Sequence, residues 1–132
     1  MRETMRNVLI VEDEMLVALD LEDILTQSGY EVVGIVSDLR EVGSVDKSPV
    51  VALVDLNLRD GPTGNAVAHT LAEQFSTRIV FVTANPAQIA EPPPTAVGYV
   101  QKPFHAAAVL TALAAAFSVE ASGAKGSLRA FG

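Results

Sequence analysis

Five short apolar runs mark the chain, and most stop abruptly on a polar or charged residue. Asn7-Val8-Leu9-Ile10-Val11 gives way to Glu12 and Asp13, and Val50-Val51-Ala52-Leu53-Val54 stops at Asp55. Arg78-Ile79-Val80-Phe81-Val82 stops at Thr83, and Gly98-Tyr99-Val100-Gln101 runs into Lys102. Glu31 to Val36 supplies the remaining run, second in order. Continuous runs rich in β-branched residues, without in–out alternation, suit strands covered on both faces. Such strands belong to a parallel sheet, whose neighbours must be joined by crossover segments.

The intervening stretches supply those crossovers. Helical character follows Glu14 up to Ser28, with Gly29 placed to terminate it. Within it Val17, Leu21, Ile24 and Leu25 form one stripe for the core, while Leu16 and Leu19 fall outside it and suit an exposed or partner-facing side. Asp38 to Val45 is read as a short helix, and Asn65 to Gln74 as a longer one after the loop Gly61-Pro62-Thr63-Gly64. Pro86, Pro92, Pro93 and Pro94 leave room for at most one turn around Ala87 to Ala90. His105 to Phe117 is an Ala-rich final helix. The expected fold is α/β: a doubly wound five-stranded parallel sheet with helices on both faces and right-handed crossovers.

The 132 residues match one domain, read as a lead over 1–6, the folded unit over 7–117 and a loose tail over 118–132 with no output domain. A net charge of −7 argues against direct binding to a nucleic-acid backbone and favours cations or basic partners. Without cysteine there is no disulfide and no thiolate metal site. The first apolar run is too short for a signal peptide or a membrane span, so a cytoplasmic protein is expected.

In open α/β sheets ligands bind beyond the carboxyl ends of the strands. That edge would collect Glu12, Asp13, Asp55, Thr83 and Lys102. Each has an ordinary alternative taken singly. Acidic residues suit a helix N-terminus, a threonine is often a cap or turn residue, and a lysine beside proline is commonly a surface charge. Their convergence is what carries the reading. Three crowded carboxylates raise one another's pKa, and a hard cation such as Mg²⁺ relieves this with carboxylate oxygens and water. Asp55 is then the candidate nucleophile for phosphoryl transfer, with Lys102 and Thr83 receiving phosphoryl oxygens. His69 and His105 are read as solvated helix histidines.

These residues resemble the response-regulator receiver family of the CheY-like superfamily, over roughly Asn7 to Phe117. The resemblance implies a flavodoxin-like strand order of 2-1-3-4-5, with Glu12 and Asp13 holding Mg²⁺ and Asp55 phosphorylated. It further implies a metal contact from the backbone carbonyl of Asn57, a switch pair in Thr83 and Tyr99, and a cis bond between Lys102 and Pro103. Asn57 and Asn85 would tune the phosphoryl lifetime. Implied partners are a sensor histidine kinase or a histidine phosphotransfer protein, and a downstream protein, with the chain a monomer or weak dimer.

The proline-rich stretch departs from most receivers, which have a full fourth helix there. In this it is similar to a variant group with a degenerate fourth helix, the FAT GUY receivers, although of that motif only Phe81 and Thr83 are present. The implied function is a stand-alone phosphoacceptor switch or phosphate sink, not an enzyme with a diffusible product. An aspartyl-phosphate phosphatase would need an acid two residues beyond Asp55, where Asn57 stands. A flavin-phosphate binder would need donors where the first loop is acidic. A receiver-like module that binds partners without phosphorylation is the remaining alternative.

Overall fold

The computed structural model describes residues 6–118 and 128–132. In chain order the elements are β1 (Asn7–Val11), α1 (Met15–Gln27), β2 (Glu31–Val36), a 3-10 turn (Arg40–Ser44), β3 (Val51–Val54), α2 (Gly64–Phe75), β4 (Arg78–Thr83), a second 3-10 turn (Pro86–Gln88), β5 (Ala96–Gln101), α3 (Ala106–Ser118) and β6 (Arg129–Phe131). The strands form one sheet in the order β2-β1-β3-β4-β5-β6, and every neighbouring pair is parallel.

The period of two along each strand divides the core in half. Val8 and Ile10 of β1 point to the face covered by α1 and α3, where Leu21, Leu25, Val109 and Leu113 meet them. Leu9 and Val11 point to the other face, against Val67, Ala68 and Leu71 of α2. Among the described residues α2 is the one long helix on that second face, and the 3-10 turn Arg40–Ser44 adds to its cover through Val42. On α1, Leu21 and Leu25 are fully buried, and Val17 and Ile24 lie half-buried against the same cluster. Leu16 keeps 83% and Leu19 47% of its surface exposed.

The segment between β4 and β5 is reduced to the single turn Pro86–Gln88, as the prolines require. What replaces helical hydrogen bonds there is a set of tethers to the α2 side. Asn65 Nδ2 donates to the Ala90 carbonyl at 2.8 Å, and His69 Nε2 lies 2.7 Å from the Glu91 carbonyl.

The sixth strand corrects the five-strand expectation. Arg129–Phe131, within the stretch read as a loose tail, pairs with Gly98–Val100; residues 119–127 of that stretch, and 1–5 of the lead, lie outside the described residues. Three residues are too few to show a periodicity, so nothing local signals the strand. Gly98 makes the slot for it. A Cβ at that position would lie 2.3 Å from the Arg129 carbonyl oxygen and 2.6 Å from the Phe131 ring. Phe131 is consequently buried in the core on the α1/α3 face.

Candidate functional site

The parallel register brings four strand ends together. The Glu12 N–H donates to the Val36 carbonyl at 2.9 Å, the Asp55 N–H to Val11 at 2.9 Å, and the Lys102 N–H to Thr83 at 2.9 Å. The first residue beyond each strand is thus still held by its neighbour, and its side chain starts from a fixed backbone. Glu12 is 2% exposed and Asp55 7%, whereas Asp13, next to Glu12, is exposed. Glu12, Asp13 and Asp55 each offer one carboxylate oxygen, all within 4.8 Å of one another.

Lys102 bridges the two buried carboxylates. Its Nζ donates to Glu12 Oε1 at 3.0 Å and to Asp55 Oδ2 at 3.1 Å. The other oxygens are used as well: Glu12 Oε2 accepts the Glu14 N–H at 3.1 Å, and Asp55 Oδ1 the Asn57 N–H at 3.2 Å. Burial pushes the Glu12 carboxyl up to about 7; the hydrogen bond from Lys102 opposes this and the charge of Asp55 adds to it. Burial alone would lower the Lys102 pKa, but its bonds to Glu12 and Asp55 outweigh that and hold it above the ordinary value. The ammonium stays charged, one cation facing the two carboxyl groups of Glu12 and Asp55. Clustered carboxylate oxygens, one of them on a solvent-facing residue, are the donor set a hard divalent cation takes.

Thr83 is fully buried, and its Oγ1 accepts the Asn85 N–H at 3.0 Å. Tyr99 is half-buried against the α2-face cluster. The Lys102–Pro103 bond is cis. Asn57 carries a contact that sequence reasoning missed: its side-chain amide pairs with that of Gln88, 3.1 Å in each direction. Gln88 sits in the short turn after β4, thirty-one residues away, and no pattern in the chain marks it. His69 and His105 contribute nothing to the cluster. Beside Lys102 a groove of about 440 Å³ is lined by Leu16, Val17, Asp20, Ala84, Pro103 and Phe104. Among the described residues no helix is long and apolar enough to cross a membrane.

Comparison with known proteins agrees with this geometry. Residues 8–114 match the response regulator receiver domain. The chain is 35% identical over 82 residues to the phyllosphere-induced regulator PhyR of Methylorubrum extorquens, covering 60% of this chain and 31% of that protein. It is 29% identical over 119 residues to the transcriptional regulatory protein PdtaR of Mycobacterium tuberculosis, covering 86% of this chain and 57% of that one. It therefore spans only part of the length of these relatives. The solution structure of the receiver domain of Erythrobacter litoralis PhyR superposes with a TM-score of 0.76 at 31% identity, over 84% of this chain and 88% of that one. With a family match over most of its length and the acidic cluster at the strand ends, the chain belongs to the response regulator receiver domain family, whose fold serves as a phosphoacceptor switch.

Proposed function

We propose that Asp55 accepts a phosphoryl group from the phosphohistidine of a sensor kinase or phosphotransfer protein, and that the modified domain signals to a protein partner or drains phosphoryl groups from the kinase. The observation that carries this reading is the position of Asp55, nearly buried, with Lys102 on one oxygen and the carboxylates of Glu12 and Asp13 beside it. Those three carboxylates, with the Asn57 carbonyl, would hold Mg²⁺. The bound ion supplies charge neutralisation for an in-line displacement.

The chain's own groups do the rest. An Asp55 oxygen attacks phosphorus, the P–O bond forms, the P–N bond breaks, and the imidazole leaves with the electron pair of that bond. Lys102 neutralises charge on a phosphoryl oxygen, and the Thr83 hydroxyl donates to another once it swings toward Asp55. The space Thr83 leaves is where Tyr99 would turn inward. Asn57 and Asn85, each two residues beyond a reacting group, border the path of a hydrolytic water and would set the phosphoryl lifetime.

Incubation with Mg²⁺ and acetyl phosphate is expected to add one phosphoryl group, about 80 Da, to the intact chain and none to Asp55→Asn. Mass gain in the variant would move the site elsewhere. No gain in either, with a cognate kinase also tried, would favour the phosphorylation-independent binding module, a reading that the reduced turn after β4 supports.

The phosphodonor surface is proposed to be the groove beside Lys102, which Leu16 lines, together with the exposed Leu19 on the same helix. A Leu16→Glu, Leu19→Glu double variant is expected to slow transfer from the kinase by about tenfold or more, the size of effect of losing an apolar anchor. Labelling by acetyl phosphate should be unchanged, since that donor needs no docking. Equal loss with both donors would show damage to the fold.

A further inference from the structure

Two loops carry the acidic cluster, and both are referred to one short segment, the end of β2. The β1 loop is tied there by the Glu12 N–H on the Val36 carbonyl, at 2.9 Å. The loop after Asp55 is tied to the next residues along. It forms a tight hairpin, with the Leu58 N–H on the Gly61 carbonyl at 2.8 Å and the reverse bond at 3.0 Å. Arg59 and Asp60 are the residues at its tip.

That tip is fastened at several points. The Arg59 N–H donates to the Ser37 carbonyl at 3.1 Å. The Arg59 guanidinium donates to Asp38 Oδ2 at 2.7 Å and Glu41 Oε2 at 3.2 Å. Asp60 Oδ2 accepts the Leu39 N–H at 3.3 Å. Asp38 is the centre of the arrangement. Its side chain is 1% exposed, its second oxygen accepts the Glu41 N–H at 3.0 Å, and the Arg59 hydrogen bond holds its carboxyl below the usual range. A carboxylate buried to this degree persists only because it is paired and hydrogen-bonded. None of these groups reaches the acidic cluster, and phosphoryl chemistry uses none of them.

We infer that Arg59, through Asp38, is a positioning residue for the divalent-cation site. The pair clamps the hairpin tip to the end of β2, and this sets the spacing of Asp55 and the Asn57 carbonyl from the Glu12–Asp13 pair. The inference rests on the reading of that cluster as a cation site. Residues that orient metal ligands without touching the metal commonly change affinity by tenfold or more when lost.

The sign of the effect separates positioning from electrostatics. Arg59→Gln deletes a positive charge near a cation site, so Coulomb interaction alone would tighten binding. Positioning requires weaker binding. Calorimetric titration of the full chain with MgCl₂ is expected to show an affinity about tenfold lower in Arg59→Gln than in the wild type, with Arg59→Lys between them. Amide hydrogen exchange at Asn57 to Asp60, without metal, should be faster in Arg59→Gln. Because that variant leaves the buried Asp38 with no cation nearer than the exposed Arg40, 3.7 Å away, the double variant Asp38→Asn, Arg59→Gln is measured beside it. The double change leaves net charge unaltered, so electrostatics predicts wild-type affinity and the clamp predicts weak binding. Wild-type or tighter binding in both variants overturns the inference and leaves the cation site standing. Absence of Mg²⁺ binding in the wild type overturns the reading beneath it.

Discussion

Lys102→Met is expected to destabilise the metal-free protein by about 2–3 kcal/mol at pH 8, and by less than about 1 kcal/mol at pH 5. Lys102 is the cation on both Glu12 and Asp55, and methionine fills similar space without the charge. Its loss leaves two carboxylates facing each other, with side chains only 1% (Glu12) and 9% (Asp55) exposed. The full penalty for a stranded buried pair is larger, but Glu12 relieves part of it by taking a proton.

The direction with pH follows from linkage. The Glu12 carboxyl titrates near 7 in the folded chain, above its ordinary 4.5. The stability tied to its bound proton is therefore present below pH 4.5 and is lost as pH rises through about 7. Removing Lys102 takes away a contact that lowers this value, so the upper limit moves further up and the loss at pH 8 grows. Urea denaturation at the two pH values measures it. Equal loss at both would assign the effect to lost packing of the lysine stem. Added Mg²⁺ should recover part of the loss at pH 8, since a divalent cation replaces the missing charge.

Gly64→Ala should cost about 3 kcal/mol or more in the metal-free protein. Gly64 begins α2, and its N–H donates to the Leu56 carbonyl at 2.9 Å. A Cβ there would lie 2.1 Å from the Asp55 carbonyl oxygen, 2.5 Å from Leu56 Cα and 2.8 Å from the Asp55 carbonyl carbon. All three are backbone atoms, so no side-chain rotation makes room. Either the start of α2 lifts from the sheet or the chain at Asp55 moves. In the second case the carboxylate leaves its place against Lys102, and labelling by acetyl phosphate should fall with stability. Gly43→Ala is the control, because a Cβ at Gly43 meets nothing within 4 Å. A shift in the urea midpoint no larger for Gly64→Ala than for Gly43→Ala would show that the backbone accommodates the methyl group freely.

The sites of these two effects were not equally visible in the chain. Lys102 stands at the end of an apolar run, and a parallel sheet sends such residues to one edge. Gly64 reads only as part of a Gly-Pro-Thr-Gly loop, because close approach to Asp55 depends on how α2 meets β3. Hydrophobic runs likewise located the strands, with differences at their ends: β3 starts at Val51, one residue inside the run that opens at Val50, and β5 at Ala96, two before Gly98. The proline spacing foretold the missing helix after β4, since proline restricts the backbone wherever it occurs.

The sequence by itself determined the alternation of strands and crossovers, the faces of α1, and the set of groups gathered around Asp55. These rest on local physics: period, backbone restriction and the polar residue that ends an apolar run. Tertiary structure alone decided which of two adjacent acids, Glu12 or Asp13, is buried, that Asn57 pairs with Gln88, and that Asp38 is clamped by Arg59. It also decided that Arg129–Phe131 adds a strand beside Gly98. Each of these joins residues about twenty to thirty positions apart, or turns on the direction of one side chain. Hydrogen bonds and ion pairs have no period along a chain, so only the folded backbone brings their partners into range.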